Sequence, residues 1–270
     1  MHESVKYSQA DNIATITLNR PEAMNAMTNG LMSGISGALE KVANNEDIRV
    51  VILTGEGRGF CAGADLTQIA NPTTNDKEQE DDADGNSDDS GDAFNTAMRA
   101  LMDCPVPTIA RVNGPAAGGG FGLALACDIT IAAHSSFFVA TFGPNLGIVP
   151  DMGSTWSIPL RVGRARALGI TLLGDRISAV QAEEWGLVWR AVEDEQLDGE
   201  VSRVADILKR SSPSAVKRIR QTIDAAAHNS FSDQLDLEMA HQAVLLPRNM
   251  RDGAIAFFEK RIPEFSGERD

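Results

Sequence analysis

The sequence predicts a mixed α/β core followed by a helical C-terminal part. A strand, a glycine-rich connection and a helical run occur twice in succession. Val50–Leu53 (VVIL) is short and wholly apolar, the pattern of a strand buried on both faces. From about Leu197 the pattern is helical throughout, with Lys and Arg on one face and Ile, Leu, Ala and Phe on the other. A chain of 270 residues, 43% of them hydrophobic, suits one large domain or a core with a helical appendage.

In order along the chain, Ile13–Leu18 (IATITL) alternates apolar and Thr positions and reads as a strand. Asn19-Arg20-Pro21 breaks it, and Thr28 is placed to cap a helix reaching about Ala43. Val50–Leu53 follows, then the glycine-rich Gly55–Leu66, a helix at about Ala93–Met102 and a strand at Pro107–Val112. That strand runs into Asn113-Gly114-Pro115-Ala116-Ala117-Gly118-Gly119-Gly120, an apolar helical run Phe121–Ala126 and a strand Asp128–Ala132. The expected division is residues 1–200 as an α/β core and residues 201–270 as a helical C-terminal part.

The formal charge of −14 is unevenly spread, because residues 76–92 hold nine acids against one lysine. Residues 71–92 therefore read as a mobile acidic insert, unable to bury enough apolar surface to offset its ordering entropy. Asp82, Asp84 and Asp88 are hard oxygen donors, but the ordered spacing of a calcium loop with its terminal Glu is absent, and no metal is expected. Nucleic acid is disfavoured for want of clustered cations. No apolar run approaches the roughly 18 residues of a membrane span, and the polar start carries no leader pattern. Three cysteines without a CxxC pair fit a reducing, cytoplasmic setting.

Loops of Gly and Ala let a ligand approach the main chain closely, so their N–H groups can converge on one oxygen as an oxyanion hole. The bland alternative is that the triplet Gly118-Gly119-Gly120 merely permits close helix–strand packing. A Walker loop is excluded by the missing Lys-Ser/Thr, and a dinucleotide fingerprint by Leu123 where Gly is needed. His2, His134, His228 and His241 form no ligand pattern and read as surface or packing residues. Cys61 reads as an apolar filler and Arg161, Arg164 and Arg166 as a solvated helix face. Trp156, Trp185 and Trp189 read as core or subunit-contact residues.

Gly59-Phe60-Cys61-Ala62-Gly63-Ala64-Asp65-Leu66, followed by the 113–120 string, resembles the enoyl-CoA hydratase/isomerase (crotonase) superfamily. Asn19-Arg20-Pro21-Glu22-Ala23-Met24-Asn25-Ala26-Met27, Cys127-Asp128-Ile129 and Phe257–Phe265 carry the same resemblance, which covers nearly the whole chain outside the insert. It implies an α/β crotonase-like spiral of ββα repeats with a helical C-terminal trimerisation region, assembled as a homotrimer or a dimer of trimers. It places the oxyanion N–H groups at Ala64 and Gly119. It also implies that Met24, Ala26, Ala62, Asp65 and Leu66 line the path of an acyl-CoA thioester. Phe257 and Lys260 would approach the coenzyme A of a neighbouring subunit. No separate cofactor is implied, because coenzyme A belongs to the substrate.

The hydratases of that superfamily use two glutamates. At the corresponding places this chain has Gly122 and the stretch Phe142-Gly143-Pro144-Asn145, so efficient hydration is not expected. Asp151 remains as the candidate base, able to take a proton from one carbon and return it to another; the competing reading is a cap on the following helix. Residues 137–156, with the later segments 164–169 and 183–189, resemble the 1,2-epoxyphenylacetyl-CoA isomerase branch, whose members also shift double bonds in unsaturated acyl-CoAs. On that reading the small residues Gly122 and Gly143 leave room for a ring. Alternatives stay open: an enoyl-CoA hydratase, a hydrolase or dehalogenase of aryl- or acyl-CoA with Asp151 as nucleophile, and a non-catalytic acyl-CoA-binding subunit.

Overall fold

The computed structural model describes residues 4–67 and 90–269. The acidic insert, apart from residues 90–92, and His2 lie outside them. Strand β1 (Val5–Ala10) pairs antiparallel with β2 (Ile13–Leu18). Parallel pairing then continues through β3 (Val50–Gly55), β4 (Thr108–Val112), β6 (Ile129–Ala133) and β9 (Arg190–Val192), giving the order β1-β2-β3-β4-β6-β9. A second, small sheet joins β5 (Ala116–Ala117), β7 (Phe137–Val139) and β8 (Ile177–Ser178). Isolated bridges Met27–Ala64 and Cys61–Ala116 extend this inner row of strands.

The chain therefore climbs in repeated turns: a long strand in the large sheet, a short extended piece in the inner row, then a helix. β3 leads through Cys61 to α2 (Ser90–Met102), β4 through β5 to α3 (Gly119–Ala126), and β6 through β7 to α4 (Ser154–Leu173). Between β2 and β3, α1 (Asn29–Ala43) starts where Thr28 accepts a hydrogen bond from the Leu31 N–H, as its sequence position predicts. Helix α2 begins three residues earlier than the apolar pattern alone suggests.

The large sheet is covered on both sides, which explains why its central strands lack alternation. Val51, Leu53, Ala110 and Val112 face the main core with Phe60, Phe121 and Phe138. Val50, Ile109 and Ile131 face the other way, onto Val201, Val204 and Ala205 of α6 (Leu197–Leu208). The division expected near residue 200 falls within this helix. A short α5 (Ala179–Glu184) precedes β9.

Beyond α6 stand α7 (Pro213–Ala226), α8 (Phe231–Leu245) and α9 (Arg251–Glu259). Arg220 of α7 fastens this layer to the core through the carbonyls of Cys104 and Val106 and the carboxylate of Asp128. Asp128 also accepts from the Thr108 backbone N–H at 2.6 Å and its hydroxyl at 2.9 Å. Near the C-terminus, the Arg269 guanidinium donates to the carbonyls of Val42, Ala43, Asn45 and Ile48 at the end of α1. Helix α8 buries no residue within the single chain. Among the described residues no helix is long and apolar enough to cross a membrane.

Candidate active site

Two extended segments set the first loop. The Met27 N–H donates to the Gly63 carbonyl at 2.7 Å, and the Asp65 N–H donates to the Met27 carbonyl at 3.0 Å. Backbone groups alternate sides along an extended segment, so the N–H of Ala64 turns away from Met27. In the second loop the Ala117 N–H donates to Cys61 and the Gly118 N–H to Val139, both at 2.9 Å. Gly119 then opens α3, where the first N–H groups have no partner within the helix. Among the described residues, neither the Ala64 nor the Gly119 N–H is matched to an acceptor.

The loops touch. A β-carbon at Gly63 (φ +90°) would lie 2.9 Å from the Ala117 carbonyl and 3.4 Å from the Gly119 nitrogen. Only glycine allows that approach with that backbone. At Gly120 a β-carbon would run into Cys61, so part of the triplet does serve close packing. Cys61 is buried, and desolvation pushes its thiol up to about 12, which suits a filler and not a nucleophile.

Asp151 meets the second loop. A β-carbon at Gly119 would come 3.7 Å from Asp151 Oδ1 and 3.0 Å from Met152 Cγ, and would collide with Met27 Cε. Asp151 does not cap α4 with its side chain: the N-cap is Gly153, without a side-chain bond, and the Ser154 N–H goes to the Asp151 main-chain carbonyl at 2.9 Å. The residue as a whole is exposed, yet partial burial of its carboxyl raises the pKa above the ordinary aspartate value; its own backbone N–H pulls weakly the other way. The carboxyl is enclosed locally because one of its oxygens lies toward Gly119, beside Met27 and Met152.

The expected ring space at Gly122 and Gly143 is not there. A β-carbon at Gly122 would meet the Met152 carbonyl at 2.5 Å, and one at Gly143 would meet the Thr171 carbonyl at 3.0 Å. Both glycines are small because other main chain packs against them. Arg161 also departs from the expected solvated face. It donates to the Leu125 carbonyl at 2.7 Å, and burial lowers its pKa. Arg164 and Arg166 are exposed, with Arg166 over the Trp185 ring. His134 pairs with Glu193, and His241 with Thr222.

Of the residues expected along the ligand path, Ala62 and Leu66 are exposed beside Ala64, Met24 is half-buried and Ala26 is buried. Asp65 is engaged elsewhere: the Thr67 hydroxyl first, and the Arg20 guanidinium at 2.8 Å second, hold its carboxyl below the usual range. Phe257 is 79% exposed on α9 and Lys260 ends that helix; no hydrogen bond joins either to the glycine loops among the described residues.

Two residues without an assigned role in the sequence prove central to the first loop. Arg20 also donates to the Ala26 carbonyl at 2.6 Å. Asn25, fully buried with φ +57°, donates to the carbonyls of Glu56 and Gly59 and accepts from the Arg20 N–H. Asn25→Ala removes the donor to two carbonyls, of which Gly59's keeps only a long 3.5 Å bond from Asn113, and the acceptor of one N–H, and is expected to lower stability by about 1–3 kcal/mol in urea denaturation.

A large cleft, about 1510 Å³, lies elsewhere, between the sheet's underside and α7–α8, bounded by residues such as Trp156, Leu160, Ile219 and Ile223. It contains none of Ala64, Gly119 or Asp151. Chemistry, not size, selects the site.

The profile of the enoyl-CoA hydratase/isomerase family matches residues 8–268. The chain belongs to that family. It is 41% identical, over 95% of each chain, to the 1,2-epoxyphenylacetyl-CoA isomerase of Escherichia coli K12. It is 35% identical to a probable enoyl-CoA hydratase of Rhodobacter capsulatus, over 98% of this chain and 99% of that one. The crystal structure of an enoyl-CoA hydratase from Polaromonas sp. JS666 superposes with a TM-score of 0.86 at 33% identity, covering 97% and 99% of the two chains. The fold is thus the crotonase fold, and the ββα turns are its spiral. As a member of the hydratase/isomerase family the chain is an acyl-CoA enzyme, and its relatives' names divide between the two activities.

Proposed function

We propose that this family member is a cofactor-independent isomerase of an acyl-CoA thioester. The reaction is a double-bond shift in an enoyl-CoA or the conversion of 1,2-epoxyphenylacetyl-CoA to its oxepin. The thioester oxygen sits between the N–H groups of Ala64 and Gly119, and Asp151 moves the proton. For a double-bond shift, the Asp151 carboxylate takes the α-proton of a 3-enoyl thioester. The C–H electron pair passes into the C–C–O system as an enolate. The carboxyl then returns the proton to the γ-carbon, leaving the conjugated 2-enoyl thioester. The positive end of α3, which begins at Gly119, favours charge on the oxygen.

One observation carries the choice of isomerase over hydratase. Among the described residues, Asp151 is the carboxylate that stands against the Gly119 loop, while the space at Gly122 is filled by the Met152 turn and the 142–145 stretch holds no acid. The Escherichia coli isomerase supports the same reading by its similarity. Met24, Ala26, Ala62, Asp65 and Leu66 would border the coenzyme A path. Phe257 and Lys260 would complete it from a neighbouring subunit, in a homotrimer or dimer of trimers. The apolar side chains left exposed on the helical layer, Phe231 and Met239 among them, favour such an assembly. Three buried thiols suit a reducing cytoplasm.

The test is exchange in D₂O. Incubation with a panel of unsaturated and phenylacetyl-derived thioesters is expected to place deuterium, for at least one, on the α-carbon of recovered substrate or on the γ-carbon of the isomerised product. Tight binding with no exchange and no turnover anywhere in the panel would favour a binding subunit.

A further inference from the structure

Gly119 and Gly122 lie three residues apart on one face of the buried helix α3, and the Asp151–Ser154 turn rests on both. A β-carbon at Gly122 would come 2.5 Å from the Met152 carbonyl oxygen, 2.8 Å from Met152 Cβ and 2.8 Å from Ser154 Oγ. The turn is held against its own preferences. Met152 (φ +50°) and Gly153 (φ +69°) are consecutive left-handed residues, and the first is not a glycine. The Ser154 hydroxyl is fully buried and has no hydrogen-bond partner among the described residues. Such features persist only where surrounding packing over-determines them. The bare face at Gly122 supplies that packing.

We propose that Gly122, with the left-handed pair Met152–Gly153, is a positioning residue. It seats the turn on α3 and thereby sets where the Asp151 carboxyl stands relative to the Gly119 amide. This rests on the reading of Asp151 as proton carrier. Its corollary is that a side chain at 122 and a working Asp151 exclude one another in this chain.

Two variants test it in the full-length protein, with the thioester that the wild type isomerises. Gly122→Ala pushes the turn directly. Gly153→Val loads the left-handed backbone from outside, since Gly153 is exposed and nothing lies within 4 Å of a β-carbon there. Each is expected to lower kcat roughly 10²-fold, the scale of a misplacement of about 1 Å. KM should change by less than about threefold. The acid limb of kcat/KM should move to lower pH as the carboxyl returns to water. A folded variant, judged by thermal melting, that keeps the wild-type kcat and acid limb overturns the proposal. So does a loss of kcat with the limb unmoved. If Gly122→Ala does not fold, Gly153→Val decides. Full activity in Asp151→Asn would instead overturn the base assignment, so the two failures are distinguishable.

Discussion

Replacing Asp151 with asparagine is expected to lower kcat for isomerisation by about 10²–10⁴-fold, with acyl-CoA binding little changed. Asparagine keeps the shape and cannot accept the proton. The residue is exposed and makes no side-chain cap on α4, so the change leaves the core and the helix intact. The pH profile gives the assignment a second reading. A base works only when deprotonated, so kcat/KM falls as pH drops through its pKa. Partial burial raises that pKa above 3.8, and the acid limb is expected above the position an ordinary aspartate would give. The asparagine variant should lack the limb. Full activity in a folded Asp151→Asn enzyme would remove Asp151 from the mechanism.

Ala64→Pro is expected to cost about 10²–10³-fold in kcat, the loss typical of deleting one oxyanion donor, about 2.7–4 kcal/mol. Proline deletes the N–H. At Ala64 that group has no acceptor among the described residues, while the bonds that hold the loop belong to its neighbours, Gly63 and Asp65. The loop should therefore persist and the transition state should lose a donor. Because the donor acts most strongly on developing charge, KM should move far less than kcat. An unchanged kcat would contradict the placement of the thioester oxygen.

Much of this architecture was legible in the residues. The alternation of Ile13–Leu18, the Thr28 cap and the apolar Val50–Leu53 each specify an element locally, and each stands where it was expected. The glycine loops were legible too, because a chain that must pass close to another main chain needs glycine at places such as Gly63. Strand β1 was not. Its residues VKYSQA form an edge with one buried position, and an edge strand carries no strong pattern. Nor was the small inner sheet, whose strands of two or three residues are too short for any periodicity.

The site was half legible for a different reason. Asn25 acts on Gly59, 34 positions away, and Gly122 on the Met152 turn. A missing side chain does not announce what fills its place. At Gly122 the sequence suggested room for substrate, and the structure puts main chain there. Arg161 was misplaced on a solvated face because its acceptor, the Leu125 carbonyl, belongs to another helix.

The central claim is that Asp151 relocates a proton and that no water is added. It is tested most directly by the mass of the product formed from one unsaturated acyl-CoA. The account predicts a product of unchanged mass with its double bond moved. A product heavier by one water, formed as the main turnover, would contradict it.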